Sequence, residues 1–326
     1  MEYQYKTGLR RLSKLTSFST LFLIFVGALV KSHEVGLSVP DWPTTYGKQM
    51  FAFPLSDMVG GIFYEHGHRM IATIVGLFTL IQAIWISFSN TPYWLKKLGL
   101  LALGTVIVQG LFGGITVLFF LPPVVSIIHG VLAQTFFIIT IIIAYSLSLE
   151  QKNRNKHGQS IDIRTGSIIM FTLVYVQLIL GALMRHTASG LAIPDFPTMG
   201  GLWFPTFSDI MISNINVTLF DMDWESVSRF QVIIHFVHRL GAIIVTTFIG
   251  YFLYKKYPKI KINNILNKSM WGIILVLSLQ LILGALTVLT ERSPYVASFH
   301  VVNGAILLGV SLLFFLRIHP KQYSNW

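Results

Sequence analysis

Apolar residues in this chain run in blocks of about twenty, separated by shorter stretches where charge, proline and glycine collect. The blocks lie near 15–32, 67–89, 98–120, 124–149, 166–185, 230–254, 269–290 and 295–317. A bilayer core about 30 Å thick takes roughly 20 apolar residues per helix. The pattern therefore predicts eight membrane-spanning helices and an all-α integral membrane protein. Composition agrees, because a chain of 326 residues that is 53% hydrophobic and 11% charged is too apolar for a soluble domain.

Charge sets the expected orientation. Lys and Arg near span ends are retained on the cytoplasmic side. With the N-terminus inside, the inner segments hold 17 of the 24 basic residues, and the outer side holds ten of the 13 acidic ones. Both termini are thus expected in the cytoplasm of a bacterial-type cell, in its plasma membrane. The net charge of +11 follows from topology, so no nucleic-acid partner is expected. The opening "KTGLRRLSKLTSFSTLFLIFVGALV" has the look of a secretory signal. Cleavage is not expected, because Gly27-Ala28-Leu29 and Lys31 recur as Gly181-Ala182-Leu183 and Arg185. The chain has no cysteine, which excludes disulfides and thiolate metal sites.

The polar stretches repeat. "GLSVPDWPTTYG" at 36–47 returns as "GLAIPDFPTMGG" at 190–201, 154 residues later. "EHGHRM" at 65–70 matches "HFVHRL" at 235–240, and "VQGLFGGITVL" at 108–118 matches "LQLILGALTVL" at 279–289. His129 and His300 share the latter offset of 171. These matches predict two tandem four-helix bundles in parallel orientation. An N-terminal half at 1–150 and a C-terminal half at 166–326 are joined by a cytoplasmic linker at 151–165. In each half the proline-punctuated loop reads as a rigid, non-helical cap.

Four of the ten histidines carry the chemistry. His68, His129, His238 and His300 each fall in the outer third of an even-numbered span. Ionisable groups inside a membrane are expensive and tend to mark a functional interior. One such histidine can simply hydrogen-bond across helices, but four at matching positions suit the axial ligands of two six-coordinate haem irons. Zinc would need a third ligand that the halves do not share. Arg69 and Arg239, each next to one of these histidines, are placed to pair with haem propionates or to snorkel at a helix end. Gly27, Gly113-Gly114, Gly181 and Gly284 read as helix-packing positions.

The halves differ at one informative place, where Glu65 stands opposite His235 in the alignment. Glu65 and His68 are i and i+3 on one helical face. A carboxylate there without an evident neighbour suits proton transfer or the stabilisation of a cation. Alternatively it serves the helix N-terminus. The difference predicts that the first half handles a substrate and the second holds a permanent cofactor.

Together, Glu65-His66-Gly67-His68-Arg69, the HxxHR at 235–239, His129-Gly130, Phe299-His300 with Asn303, and the twin PDWPT and PDFPT loops resemble the haem A synthase family. The resemblance implies oxidation of the C8 methyl of haem O to a formyl group through hydroxylated intermediates. It assigns Glu65, His68 and His129 to the substrate site, and His238 and His300 to a haem b cofactor near the outer face. It also implies haem O and the bilayer as partners, with haem O synthase, terminal oxidase assembly and an unidentified electron acceptor around them. The outer-loop cysteine pair of some relatives is missing here. A non-catalytic di-haem b electron carrier is the main alternative, and a haem or small-molecule transporter a lesser one.

Overall fold

The computed structural model describes residues 7–152 and 160–319. His157, several basic residues of the charge pattern and the middle of the expected linker lie outside the described residues. Among the described residues there are ten α-helices and no strand, only two isolated bridges. The helices are α1 (Thr7–Ser32), α2 (Gly61–Phe88), α3 (Tyr93–Leu118), α4 (Pro123–Ser146), α5 (Leu149–Lys152), α6 (Ile161–His186), α7 (Asp209–Asp221), α8 (Arg229–Ile260), α9 (Asn264–Leu289) and α10 (Pro294–Ile318).

Eight of these, all but α5 and α7, are long and apolar enough to cross a membrane, and they coincide with the eight expected blocks. All but α4, which stops at Ser146, run longer than the apolar blocks, because polar first and last turns can continue a helix that hydropathy alone would end. Starts are fixed locally. Pro123 occupies the first turn of α4, where its missing N–H costs nothing. Ser228 and Gln231 form a reciprocal capping box at α8. Large apolar side chains such as Phe18, Phe88, Leu275 and Ile282 face outward. Such a surface is tolerable in lipid and not in water. The buried hydroxyls of Thr16, Thr20 and Thr79 donate back to the carbonyl four residues earlier, which meets these donors within the helix itself.

The chain divides into two compact units. The first takes residues 1–164 and the chain end from 312; the second takes 165–311. In the first, α1 packs on α2, α2 on α3, α3 on α4, and α4 returns to α1. Its apolar core, with Leu9, Ile86, Leu95, Ile143 and Leu147, gathers near the end where α1 begins and α4 finishes. Arg317 grips Glu150 there with a two-pronged ion pair, Nε to Oε1 at 2.7 Å and Nη2 to Oε2 at 2.8 Å. The other end carries the loop between α1 and α2, and the polar residues collect beneath it.

The second unit joins its four long helices through close approaches. Gly166 meets Phe252 between α6 and α8, and Asn303 bonds Val276 between α10 and α9. The hydropathy pattern missed α7, which lies in the loop between α6 and α8. Ser208 caps it, and Met211, Ile215 and Leu219, spaced by four, pack with Leu191, Ile193, Val232 and Val288.

Candidate functional site

Each proline-punctuated loop is a closed turn. In the first unit Thr45 bridges Lys48 across Tyr46 and Gly47, whose φ values of 50° and 73° lie in the left-handed region. Asp41 closes the turn by accepting from the Tyr46 N–H at 2.7 Å, the Gly47 N–H at 2.9 Å and the Thr44 hydroxyl. In the second unit Met199 bridges Leu202 across Gly200 and Gly201, and Asp195 accepts from both glycine N–H groups at 2.7 and 2.9 Å. Burial raises the pKa of each aspartate, but these hydrogen bonds outweigh it and hold both below the ordinary carboxylate value. Trp42-Pro43 and Phe196-Pro197 are both cis.

The arginines hold these loops. Arg69 donates from Nη1 to the carbonyls of Asp41 (2.7 Å) and Thr44 (3.0 Å), and from Nη2 to that of Val39 (2.8 Å) and to Glu65 Oε1 (2.7 Å). Arg239 donates to the carbonyls of Ile193, Asp195 and Thr198 and, from Nε, to His235 Nε2 at 3.1 Å. Both guanidinium groups thus clamp the cap to its helix, mostly through loop carbonyls.

Glu65 differs from expectation. The carboxylate expected to lack a neighbour is buried at 3% exposure, takes Arg69 on Oε1, and accepts from the Val39 N–H on Oε2 at 2.8 Å. His235 does the same work in the second unit, with its Nδ1 accepting from the Ile193 N–H at 3.2 Å and its Nε2 meeting Arg239. Glu and His are thus interchangeable acceptors between an arginine and a loop amide. His66 adds a further tie, its Nδ1 lying 3.0 Å from the Thr45 hydroxyl. Two anchors per loop were not foreseen from sequence; the i, i+4 spacing of Glu65 with Arg69 and of His235 with Arg239 was the available signal.

The four singled-out histidines lie beneath these caps, each against a glycine of a neighbouring helix. A β-carbon on Gly27 would stand 2.9 Å from His68 Cε1, and one on Gly113 would stand 3.4 Å from His129 Cε1. On Gly181 it would stand 3.3 Å from His238 Cε1, and on Gly284 3.1 Å from His300 Cε1. The glycines expected only to pack helices are seats for imidazole rings. The cap reaches the same level, since Trp42 rests its indole on Gly114, with ring carbons 2.6–2.8 Å from where a β-carbon would be.

His238 and His300 face each other with ring centres 6.5 Å apart and planes at 75°. A metal–imidazole bond of about 2 Å and a ring radius of about 1 Å place two rings on one metal atom roughly 6 Å apart, centre to centre. The pair therefore fits a shared metal. Nδ1 of His68, His129 and His300 is buried without a partner, which is costly unless a ligand or proton acceptor enters. Among the described residues no group of three or more His, Cys, Asp or Glu could hold a bare ion. Two imidazoles alone suit an iron whose remaining positions a macrocycle fills. Of the remaining histidines, His33 stacks on Tyr64 at 4.5 Å, while His319 lies against Phe315.

A family model described as Cytochrome oxidase assembly protein matches residues 10–312. The chain is 29% identical to the Heme A synthase of Shouchella clausii over 219 residues, 65% of this chain and 69% of that protein. It is 25% identical to that of Shewanella oneidensis, covering 91% and 92%. With the Heme A synthase of Listeria welshimeri it shares 24% over 98% of both chains.

Proposed function

This chain belongs to the haem A synthase family of cytochrome oxidase assembly proteins, and we propose that within it the chain oxidises the C8 methyl of haem O to the formyl group of haem A. Its role in haem A synthesis makes it an oxidoreductase of the membrane. The observation that carries the finer reading is the fourfold recurrence of an imidazole seated on a glycine under a clamped cap, with one pair at the spacing a shared iron needs.

In this reading His238 and His300 hold a haem b, which supplies one-electron chemistry when bound. His68 and His129 take the iron of haem O as substrate. The methyl carbon is hydroxylated twice, a four-electron oxidation overall, and loss of water from the geminal diol leaves the aldehyde. Glu65 stands one turn before His68; its charge, fixed by Arg69, stabilises positive charge developing at the methyl carbon. Lys31 and Arg185 lie four residues past Gly27 and Gly181, one turn nearer the loop end. With Arg69 and Arg239 they would offer the propionates cations. The basic-residue pattern supports sites near the outer face. Electrons leave to an acceptor outside the chain, and haem O synthase and terminal oxidase assembly are the natural neighbours.

The test is to supply haem O to the purified protein with an electron acceptor and extract the pigments. Haem A or a hydroxymethyl intermediate is expected. Recovery of unmodified haem O, with the resident haem intact, would favour the di-haem electron carrier instead.

A further inference from the structure

Three of the four imidazoles touch a glutamine from a neighbouring helix, and the fourth does not. Gln177 Nε2 donates to the His238 carbonyl at 2.9 Å and lies 3.2 Å from His238 Nδ1. Gln109 Nε2 donates to the His129 carbonyl at 3.0 Å and lies 3.4 Å from its Nε2. Gln280 Nε2 lies 3.4 Å from His300 Nε2. At the place of Gln177 the first half has Leu23, four residues before Gly27 as Gln177 is before Gly181.

A second substitution accompanies that one. A β-carbon on Gly241 would stand 2.1 Å from Gln177 Oε1, so a larger residue there would push the amide aside. The residue three after His68, as Gly241 is three after His238, is Ile71. Leu23 and Ile71 both pack against the apolar core of the first unit. Beside His68 the polar brace is replaced by hydrocarbon.

The remaining braces are graded too. Gln280 Oε1 accepts from Asn303 Nδ2 at 2.8 Å, and the same nitrogen reaches the Val276 carbonyl at 3.0 Å. Three residues after His129, where Asn303 follows His300, stands Leu132. Gln109 Oε1 is buried without a partner, as is Gln177 Oε1. An amide tied at both ends fixes the ring it touches more firmly than one with an unmet acceptor, and either holds it better than hydrocarbon does. Groups around a ligand that orient it also set how firmly the metal is held.

We propose that Gln177, Gln280 and Asn303 are positioning residues that give His238 and His300 one polar tie more each than their counterparts and so hold them for a resident group, while Leu23 and Leu132 leave His68 and His129 more loosely held so that their ligand can exchange. This rests on the two-haem reading above. It makes exchangeability a property of the shell around the imidazoles, since the imidazoles themselves are alike in the two units.

The test is haem release from purified holoprotein loaded at both sites, captured by excess apomyoglobin and followed optically. Wild type is expected to release haem in a fast phase from the first site and a slow phase from the second. Gln177→Leu with Gly241→Ile, which copies the pair already used beside His68, should speed the slow phase by about 10–100-fold. Asn303→Leu alone touches neither ligand and should speed it in the same direction; it carries the test if the double variant does not fold. Leu23→Gln with Ile71→Gly should slow the fast phase. Haem bound at both sites with release rates that these variants leave unchanged would overturn the brace. If wild type binds no haem at all, the functional reading fails instead.

Discussion

Arg69 Nη2 donates to Glu65 Oε1 at 2.7 Å with both side chains nearly buried, and the same guanidinium holds the carbonyls of Val39, Asp41 and Thr44. Removing one partner of a buried pair strands the other charge. Arg69→Ala should therefore destabilise the protein by about 3–5 kcal/mol. Glu65→Ala with Arg69→Ala should cost less than the sum of the single changes. Thermal unfolding of the four proteins in detergent checks this; strict additivity would mean the pair is not coupled.

The glycine seats should differ in tolerance. Alanine at Gly27 puts a carbon 2.9 Å from the His68 ring, while at Gly113 the contact is an ordinary 3.4 Å. Gly27→Ala should cost about 1–3 kcal/mol by overpacking and disturb the first haem site, whereas Gly113→Ala should be mild. Haem spectra and melting temperatures of the two variants decide it. Equal effects would contradict the seating.

Acid should loosen the caps within a defined window. Asp41 and Asp195 have folded pKa values below their ordinary ones, so their contribution is present at neutral pH and lost as pH falls through the depressed value. Amide hydrogen exchange at Gly47 and Gly201 should stay protected, after correction for intrinsic rate, down to about pH 4 and lose protection below it. Asp41→Asn should abolish that dependence at Gly47 alone. Protection lost already near pH 6 would place the control elsewhere.

Trp42 should act as a lid over the first site. Its indole occupies the space that a side chain on Gly114 would need. Gly114→Ala should displace the ring and quench or shift its fluorescence, with conversion of haem O reduced and the second site's haem spectrum unchanged. Unaltered fluorescence would show that the loop does not rest there.

The eight spans, the twin loops and the four histidines were legible in the sequence because each depends on local pattern: apolar run length, proline spacing and a repeated His-Arg step. The loop contacts of Arg69, Arg239 and Glu65 were not. The arginines bond carbonyls, and Glu65 the Val39 N–H, of a loop some 25–46 residues earlier in the chain, and backbone groups leave no mark in side-chain composition. Gly27 and Gly284 read as packing residues for the same reason, since a glycine signals missing volume without saying what fills it. The helix α7 escaped because its apolar face, at Met211, Ile215 and Leu219, is too short for a membrane span.

The account stands most directly on the ligation of iron by His238 and His300. Ferric holoprotein as purified should give the low-spin spectrum of a bis-imidazole haem. His238→Ala and His300→Ala should each abolish it while helical circular dichroism persists, and His129→Ala should leave it in place. A low-spin haem surviving in both His238→Ala and His300→Ala would contradict the account.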